Sequence, residues 1–359
     1  MTQRLTGVQR YALEMCKALS KLDDVNLRVM HPRVTSGQPL QTPAPGQLEP
    51  VGQIGGHAWE QAELGPNMLY QAVKHTPAPL LWSPCNVGPL AVRRQIVTIH
   101  DLVSMLHPEW VSRAFHLYYK TLLPLLAKRV QHIVTISQHS RETILETLGV
   151  PESKVTVIPN GIGAQFQRVD ATAIDSVRER YKLPDSFVLS LGSLEPRKNL
   201  MGLINAWLQL PKATRLPLVI AGGLGERGVF GDFNTDVLDK AGVQRLGYVD
   251  DADLPALLSA ARLFAYPSLE EGFGLPPLEA LACGTQVVTS NTSAMAENCQ
   301  GEAILVDPTD KTSIAEGIET ALAGDEPLDA RLERAERIRT RFNWQTGAEA
   351  LIDVVKACL

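Results

Sequence analysis

The chain has 359 residues, of which 45% are hydrophobic and 20% are charged, and its formal net charge is −5. This length is long for one hydrophobic core and suits two domains. The weak negative charge disfavours DNA or RNA as a partner. The five cysteines are scattered without a C-x-x-C pair, which is typical of reduced thiols and disfavours a structural metal site.

Targeting and membrane signals are not evident in the sequence. No stretch approaches the roughly 20 apolar residues that a membrane-spanning helix needs. The first residues, Met-Thr-Gln-Arg-Leu-Thr, lack the apolar segment of a signal peptide. We therefore expect a cytoplasmic protein.

The first half of the chain alternates helical and strand patterns. Gly7 precedes a predicted helix over 8–19, in which apolar residues recur at helical spacing. The remaining pattern predicts helices at 59–74 and 138–148, and strands at 25–30, 80–82, 95–99, 130–136 and 154–158. Residues 32–56 are rich in Pro, Gly, Gln and Thr and are interpreted as a long irregular loop. The alternation predicts a mostly parallel sheet covered by helices.

Two polar residues, His100 and Asp101, follow the predicted strand at 95–99. Ligands of open α/β folds bind at the carboxyl edge of the sheet, so this position favours a functional role. The alternative is a histidine that only ends a strand.

The segment 107–132 is basic and aromatic, and we expect one helix to run through most of it, from Trp110 to Arg129. Glu109 is its one acid, and its rings and cations are Trp110, Arg113, Phe115, Tyr118, Tyr119, Lys120, Lys128 and Arg129. Helices with such a face can lie on anionic lipid. Ordinary packing of the rings on the sheet, with solvated cations, is the other interpretation.

The second half repeats the alternation and carries a cationic pair. Strands are predicted at 187–191, 218–221, 243–246, 262–266, 285–288 and 303–306, with helices between them. Arg197 and Lys198 stand between the first of these strands and a helix that begins near Leu200. A guanidinium, an ammonium and the free amides of a helix N-terminus together predict a phosphate-binding site.

The stretch 265–284 contains two glutamates separated by seven residues. It is interpreted as the end of an apolar strand, a loop, and a helix that Pro276 and Pro277 open and Gly284 closes. We expect Glu271 in the loop and Glu279 in the first turn of the helix. A phosphate can bind at a helix N-terminus while nearby carboxylates accept hydrogen bonds from sugar hydroxyls. This layout favours a sugar nucleotide.

Several segments together resemble the family 4 retaining glycosyltransferases. They are T-G-V-Q-R-Y at 6–11, T-I-H-D-L at 98–102, L-G-S-L-E-P-R-K-N-L at 191–200, L-G-Y-V at 246–249 and E-G-F-G-L-P-P-L-E-A at 271–280. The resemblance covers nearly the whole chain and implies an α/β protein of the GT-B fold. That fold has two Rossmann-like, doubly wound domains that face each other across a cleft. The N-terminal domain would comprise 1–165 and the last helix, 345–359, and the sugar-nucleotide-binding domain 166–344.

The same resemblance implies roles for individual residues. Catalytic roles fall to Arg197, Lys198, Glu271 and His100. Substrate-binding roles fall to Gly7, Asp101, Tyr248, Val249, Gly272, Phe273, Gly274, Leu275 and Glu279. In relatives the glycine equivalent to Gly7 lies beside the donor diphosphate, and the backbone at 248–249 pairs with the nucleobase. Glu279 would hold the ribose, Glu271 would bind the sugar hydroxyls, and His100 would face the donor sugar.

The segment L-E-P-R-K-N at 194–199 is similar to the corresponding segment of bacterial mannosyl- and rhamnosyltransferases, so GDP-mannose is our expected donor. We expect no metal cofactor. The acceptor implied by the resemblance is a lipid-linked glycan or oligosaccharide of a surface polysaccharide. Contact with the inner face of an anionic membrane would follow. UDP-sugar donors, a GT-B sugar-nucleotide epimerase and a non-catalytic sugar-nucleotide-binding partner of another transferase are the alternatives.

The N-terminus carries one further expectation. A central, buried strand precedes the glycine that opens the first helix of a doubly wound sheet. Only six mostly polar residues precede Gly7, which is too few for a strand of about five residues and its turn. We therefore expect that the first strand of the N-terminal domain is missing.

Overall fold

A computed structural model describes residues 7–33, 48–193, 195–223, 241–324 and 326–359. The chain divides into two compact units. Unit 1 comprises Met1–Leu102, Leu117–Gly161 and Asn343–Leu359, and unit 2 comprises Val103–His116 and Ile162–Phe342. The sequence predicts a boundary near residue 165, whereas this division falls after Gly161 and assigns the segment 103–116 to unit 2.

Helices and strands alternate through the first half of the chain. In order they are α1 (Gly7–Leu19), β1 (Val29–His31), β2 (Leu48–Pro50), α2 (Gly56–Trp59), α3 (Gly65–Lys74), β3 (Leu81–Ser83), β4 (Gln95–Thr98), α4 (Val103–Leu106), α5 (Arg113–Arg129), β5 (His132–Thr135), α6 (Gln138–Leu148) and β6 (Val155–Val157). A π-helical turn, Glu60–Leu64, joins α2 to α3. Ser137 caps α6, because its side chain accepts a hydrogen bond from the Ser140 amide.

Strands β3, β4, β5 and β6 of unit 1 form a parallel sheet in that order. Its inner strand β4 is buried along its whole length, as expected where helices cover both faces. Helix α1 packs against the last helix of the chain, α14 (Trp344–Cys358), in the same unit. Among the described residues, no helix has both the length and the apolar character needed to cross a membrane.

Two predictions for this half need correction or comment. The loop prediction for 32–56 is wrong at Leu48–Pro50, which forms β2 and pairs in parallel with β1. Residues 34–47 lie outside the described residues. The expected loss of the first strand concerns residues 1–6, which also lie outside them. The described strands of unit 1 form two separate sheets, β1–β2 and β3–β4–β5–β6.

The basic, aromatic segment is not one helix from Trp110 onward. Trp110 lies in the 3₁₀ turn Pro108–Trp110, where its ring stacks on His107 at a centroid distance of 3.9 Å. Helix α5 begins at Arg113 and buries Tyr119. Its outer face exposes Leu117, Leu125, Lys120 and Lys128. Membrane binding by this face stays a prediction, which sedimentation with anionic vesicles would test.

Unit 2 contains the remaining elements. They are α7 (Ala171–Tyr181), β7 (Val188–Leu191), α8 (Leu200–Gln209), β8 (Leu218–Ala221), β9 (Gln244–Gly247), α9 (Leu254–Ala260), β10 (Leu263–Tyr266), α10 (Leu275–Ala282), β11 (Gln286–Ser290), α11 (Ser293–Cys299), β12 (Ile304–Val306), α12 (Lys311–Ala323) and α13 (Leu328–Arg341).

The sheet of unit 2 is doubly wound. Its strands are parallel and lie in the order β12-β11-β10-β7-β8-β9. The chain therefore builds outward from β7 in one direction and returns to β10 to build in the other. The switch point lies between β7 and β10, where open α/β sheets bind ligands at their carboxyl edge.

Helix α12 lies close enough to this sheet to make Gly317 a packing constraint. A Cβ atom at Gly317 would lie 2.4 Å from Val306 Cγ1. We predict that Gly317→Ala lowers the free energy of unfolding by about 1–3 kcal/mol, because overpacking outweighs the better helix propensity of alanine. Urea unfolding measures the change.

Val306→Ala provides the matched background, because it removes the nearest atom that a Cβ at Gly317 would meet. In the Val306→Ala background, Gly317→Ala should leave the free energy of unfolding unchanged or raise it. An equal loss of stability in both backgrounds would contradict the steric explanation.

Candidate active site

The cationic pair and the first glutamate of the 271–279 pair lie on the two sides of the switch point. Arg197 and Lys198 belong to the 3₁₀ turn Pro196–Lys198, which follows β7. Glu271 lies in the loop after β10, as predicted. Because β7 and β10 are hydrogen-bonded neighbours, residues 73 positions apart in the sequence come into direct contact.

A single buried carboxylate joins these two segments. Glu271 Oε2 lies 2.7 Å from Arg197 Nη1, and its Oε1 atom pairs with the Lys198 ammonium. The Tyr266 hydroxyl donates to the same Oε1 at 2.6 Å, and the Ser268 hydroxyl lies 3.1 Å from it. Sequence reasoning missed Tyr266 and Ser268, because each looks like an ordinary residue of a strand end.

Arg197 is held from a second side. Its Nε atom donates to Glu195 Oε2 at 2.8 Å, and Glu195 is buried. The site therefore alternates two carboxylates with two cations, and their formal charges balance. Sequence reasoning also missed this role of Glu195, although it lies in the same E-P-R-K string.

The ionisation state of Glu271 follows from these contacts. Burial by itself would raise its pKa, but Arg197 and Lys198 outweigh burial and lower the pKa of Glu271 from 4.5 to about 2. Burial and the neighbouring Glu271 raise the pKa of Tyr266 well above its ordinary value. At neutral pH the site thus contains an ionised Glu271 and a neutral Tyr266 that donates to it.

Backbone contacts fix the two loops relative to each other. The carbonyl of Arg197 accepts from the Leu269 amide at 2.8 Å and lies 2.8 Å from the Ser268 hydroxyl. Asn199 has a left-handed backbone with a φ of 54°, and its side-chain amide donates to the Pro267 carbonyl at 3.0 Å. The cations are therefore positioned by the fold before any ligand is present.

Helix α10 places the second glutamate differently from the prediction. The helix begins at Leu275, so Glu279 is its fifth residue and lies in the second turn, not the first. Pro276 and Pro277 are its second and third residues, so the helix begins one residue earlier than predicted. The side chain of Glu279 is buried, with 5% of its surface exposed.

The loop before α10 is shaped by Gly274, which has a φ of 84°. A Cβ atom there would lie 3.1 Å from Met295 Cγ. The Phe273 ring packs edge-on against Phe342 at 5.5 Å, and its carbonyl accepts from Asn298 at 2.8 Å. Phe273 therefore contributes to the core of unit 2, and a substrate-binding role for it, as for Gly272, Gly274 and Leu275, stays a prediction.

The predicted base-binding segment follows β9 in the same sheet. Tyr248 is half exposed and Val249 is buried. Gly247 has a φ of 68°, and its carbonyl accepts from the Gly222 amide at 2.7 Å. The segment therefore lies at the carboxyl edge of the sheet that also carries Lys198.

The predicted site residues of unit 1 lie at the end of β4 and at the start of α1. His100 is buried, its ring contacts Tyr11 edge-on at 4.7 Å, and its Nε2 atom lies 2.8 Å from the Pro84 carbonyl. A carbonyl only accepts, so Nε2 carries the proton. Burial lowers the pKa of His100 to about 4, so the ring is neutral at pH 7. Asp101 is half-buried beside it.

Gly7 is exposed at the first described position of α1. Among the described atoms, none comes within 4 Å of a Cβ built on it. The described ranges also contain no group of three or more His, Cys, Asp or Glu side chains suited to a metal ion.

The depressed pKa of Glu271 predicts a pH-dependent contribution to stability. The folded pKa lies below the ordinary value, so between pH 2 and pH 4.5 the unfolded chain binds more protons. The contribution, about 3 kcal/mol, is present above pH 4.5 and is lost as the pH falls towards 2. We expect the wild type to lose about 2 kcal/mol more than Glu271→Gln between pH 5 and pH 3 in urea unfolding.

Glu319→Gln is the matched control, because Glu319 is exposed on α12. This variant should follow the wild type at both pH values. A Glu271→Gln protein with the same pH dependence as the wild type would show that the ion pairs do not hold the carboxylate.

Comparison with known families covers both units. The description "Glycosyltransferase Family 4" matches residues 5–166, and "Glycosyl transferases group 1" matches residues 174–339. Together these matches span most of the chain.

Two curated relatives come from Escherichia coli. The O-antigen chain mannosyltransferase B is 28% identical, and the match covers 98% of this chain and 96% of the relative. The serotype-specific mannosyltransferase WbdA is 32% identical over 72% of this chain, which spans 33% of the longer relative.

A solved structure confirms the predicted fold class. A sucrose-phosphate synthase from Thermosynechococcus elongatus has a TM-score of 0.73 at 19% identity, with 98% of this chain and 93% of that chain covered. The fold is GT-B, with two α/β units. The two family matches and the relative that matches over nearly its whole length agree with the family that the motifs predicted. The chain therefore belongs to glycosyltransferase family 4 and is a transferase enzyme.

Proposed function

We propose that this enzyme transfers mannose from GDP-mannose, with retention of configuration, to a lipid-linked or oligosaccharide acceptor in surface polysaccharide synthesis. The names of the two relatives support mannose as the sugar and a polysaccharide as the product. One observation supports the transfer chemistry above others. Arg197 and Lys198 lie together at the switch point of unit 2, held by buried carboxylates.

Departure of the nucleoside diphosphate leaves negative charge on its phosphates. Cations and helix amides that are already in position stabilise this charge without reorganising. The ion pairs of Glu271 and the hydrogen bonds of the neighbouring loops hold Arg197 and Lys198 in this way. In the proposed mechanism the bond from the sugar to the diphosphate breaks, and the acceptor hydroxyl attacks from the face that the diphosphate leaves. The proton of that hydroxyl passes to the departing diphosphate, so no protein nucleophile is required.

The other groups have binding roles in this proposal. Glu279 holds the ribose of the donor, and Glu271 binds hydroxyls of the sugar. His100 contacts the donor sugar as a neutral ring, because its low pKa leaves it without the second, acidic proton of an imidazolium at pH 7. UDP-sugars are the second choice of donor. Membership of a transferase family favours transfer over the epimerase and the non-catalytic alternatives.

Removing either site residue should slow transfer. We expect Lys198→Ala and Glu279→Ala each to lower turnover at least tenfold. For comparison, loss of one charge-stabilising donor typically costs about 3 kcal/mol of transition-state stabilisation, or roughly a hundredfold in rate. Release of nucleoside diphosphate in the presence of acceptor measures turnover. The Glu279 side chain is buried and the Lys198 side chain is only 13% exposed, so circular dichroism must first show that each variant is folded.

Exposed residues of the same type provide the controls. Lys212→Ala and Glu319→Ala should keep wild-type turnover, because both side chains are exposed. Near-normal rates in folded Lys198→Ala and Glu279→Ala would refute the site assignment.

The donor base is tested by thermal shift with GDP, UDP and dTDP. A nucleotide present at a hundred times its dissociation constant stabilises the folded state by about 2.7 kcal/mol. We expect GDP to raise the melting temperature most and Lys198→Ala to reduce that shift. A shift with UDP and none with GDP would overturn the GDP-mannose proposal and leave the transferase assignment intact.

We also propose that transfer needs no metal ion, because Arg197 and Lys198 supply the positive charge that the leaving diphosphate requires. Activity should be unchanged in EDTA. Activity that disappears in EDTA and returns with Mn²⁺ would contradict this proposal.

A further inference from the structure

A second charged site lies at the other edge of the unit 2 sheet. It is a cavity of about 290 Å³, lined in part by Asp185 and Ser186, which precede β7, and by Arg262, which precedes β10. Arg197 and Lys198 follow β7 at its carboxyl end. A strand of four residues is about 13 Å long, so the cavity and the predicted donor site are separated by the depth of the sheet.

The lining of this cavity has an excess of positive charge. Its charged residues are Arg168, Arg178, Arg262, Arg331, Asp175 and Asp185. Four guanidinium groups and two carboxylates leave a formal excess of two positive charges. The donor site, by contrast, has as many carboxylates as cations among the four groups described above.

Two of these arginines are held mainly by backbone carbonyls. Arg168 Nη1 donates to the Ser259 carbonyl at 3.3 Å, and Arg331 Nη1 donates to the Gly284 carbonyl at 3.4 Å. Each of these long bonds uses one of the five N–H donors of a guanidinium. The Nε atoms of Arg331 and Arg178 are buried and have no hydrogen-bond partner among the described residues.

Buried donors without partners and like charges in proximity are both unfavourable. Burial, together with the nearby Arg168 and Arg262, lowers the pKa of Arg331. A bound anion would relieve both costs, because it accepts hydrogen bonds and neutralises the repulsion between the guanidinium groups.

We propose that this cavity binds a small phosphate monoester, with the phosphoryl oxygens between Arg168, Arg262 and Arg331. These arginines come from three separate segments: the loop before α7, the residue that precedes β10, and α13. The tetrahedral phosphoryl group has enough acceptors for several guanidiniums, and its charge of about −1.5 to −2 matches the excess of the lining. The volume is at the small end for ligand pockets, which favours a small organic group.

The test uses calorimetric titration of the full chain with inorganic phosphate and with glycerol 3-phosphate, at constant ionic strength. The Lys198→Ala background weakens phosphate binding at the predicted donor site, which separates this proposal from the proposed function. We expect saturable binding in that background. Adding Arg331→Gln should raise the dissociation constant at least tenfold.

A second variant leaves every arginine in place. Ala171 lines the cavity and is the exposed first residue of α7, where an acidic side chain suits the helix dipole. Ala171→Glu should therefore fold and should also raise the dissociation constant at least tenfold, because its carboxylate competes with phosphate. Arg337→Gln is the matched control, because Arg337 is on α13 and pairs with Glu302 outside the lining.

The outcomes distinguish the sources of the phosphate. Arginine-dependent binding of glycerol 3-phosphate supports a free metabolite, whereas arginine-dependent binding only to phosphatidylcholine vesicles that contain phosphatidic acid supports a lipid headgroup. Either result supports the phosphate site. The proposal is overturned if phosphate does not bind saturably in either form, or if Ala171→Glu and Arg331→Gln bind it as tightly as Arg337→Gln.

Discussion

The ion pairs of Glu271 are the interaction on which the rest of the site depends. A carboxylate that is buried in this way is tolerated only when it is paired and hydrogen-bonded. Arg197, Lys198, Tyr266 and Ser268 meet this need together. Their contacts also tie the loop after β7 to the loop after β10, so one carboxylate determines both the charge of the switch point and its shape.

This arrangement has a consequence for ligand binding. The two carboxylates and two cations balance, so the diphosphate of the proposed donor would not meet an open cluster of positive charge. It would share Arg197 and Lys198 with the carboxylates that hold them. The carboxylates thus position the cations in advance while moderating their charge, and the helix amides and further groups must supply the remaining attraction.

The two edges of the unit 2 sheet differ in how their charges are compensated. At the carboxyl edge, Glu271 and Glu195 pair with the cations that they contact. At the amino edge, Arg168 and Arg331 donate to carbonyls near the ends of α9 and α10, and the lining as a whole remains positive. Carbonyls at a helix C-terminus carry only a partial negative charge. They can orient a guanidinium but cannot neutralise it, which is why the second edge is suited to an anion.

Local sequence patterns determined much of this protein. The period of apolar residues predicted the helix after Gly7, and a short apolar run predicted β8 at its observed bounds. The E-P-R-K string and the glutamate spacing identified the segments that meet at the switch point. These features were predictable because periodicity, capping and turn chemistry act over a few neighbouring residues.

The tertiary structure decided the contacts between segments that are distant in the chain. The strand order brings Glu271 to Arg197 and Lys198, and packing places the Tyr266 hydroxyl as a donor to Glu271, with the Ser268 hydroxyl beside it. It also gathers four arginines from four segments around one cavity. No local pattern encodes these contacts, because they depend on which strands become neighbours and on how the side chains between them fill the space.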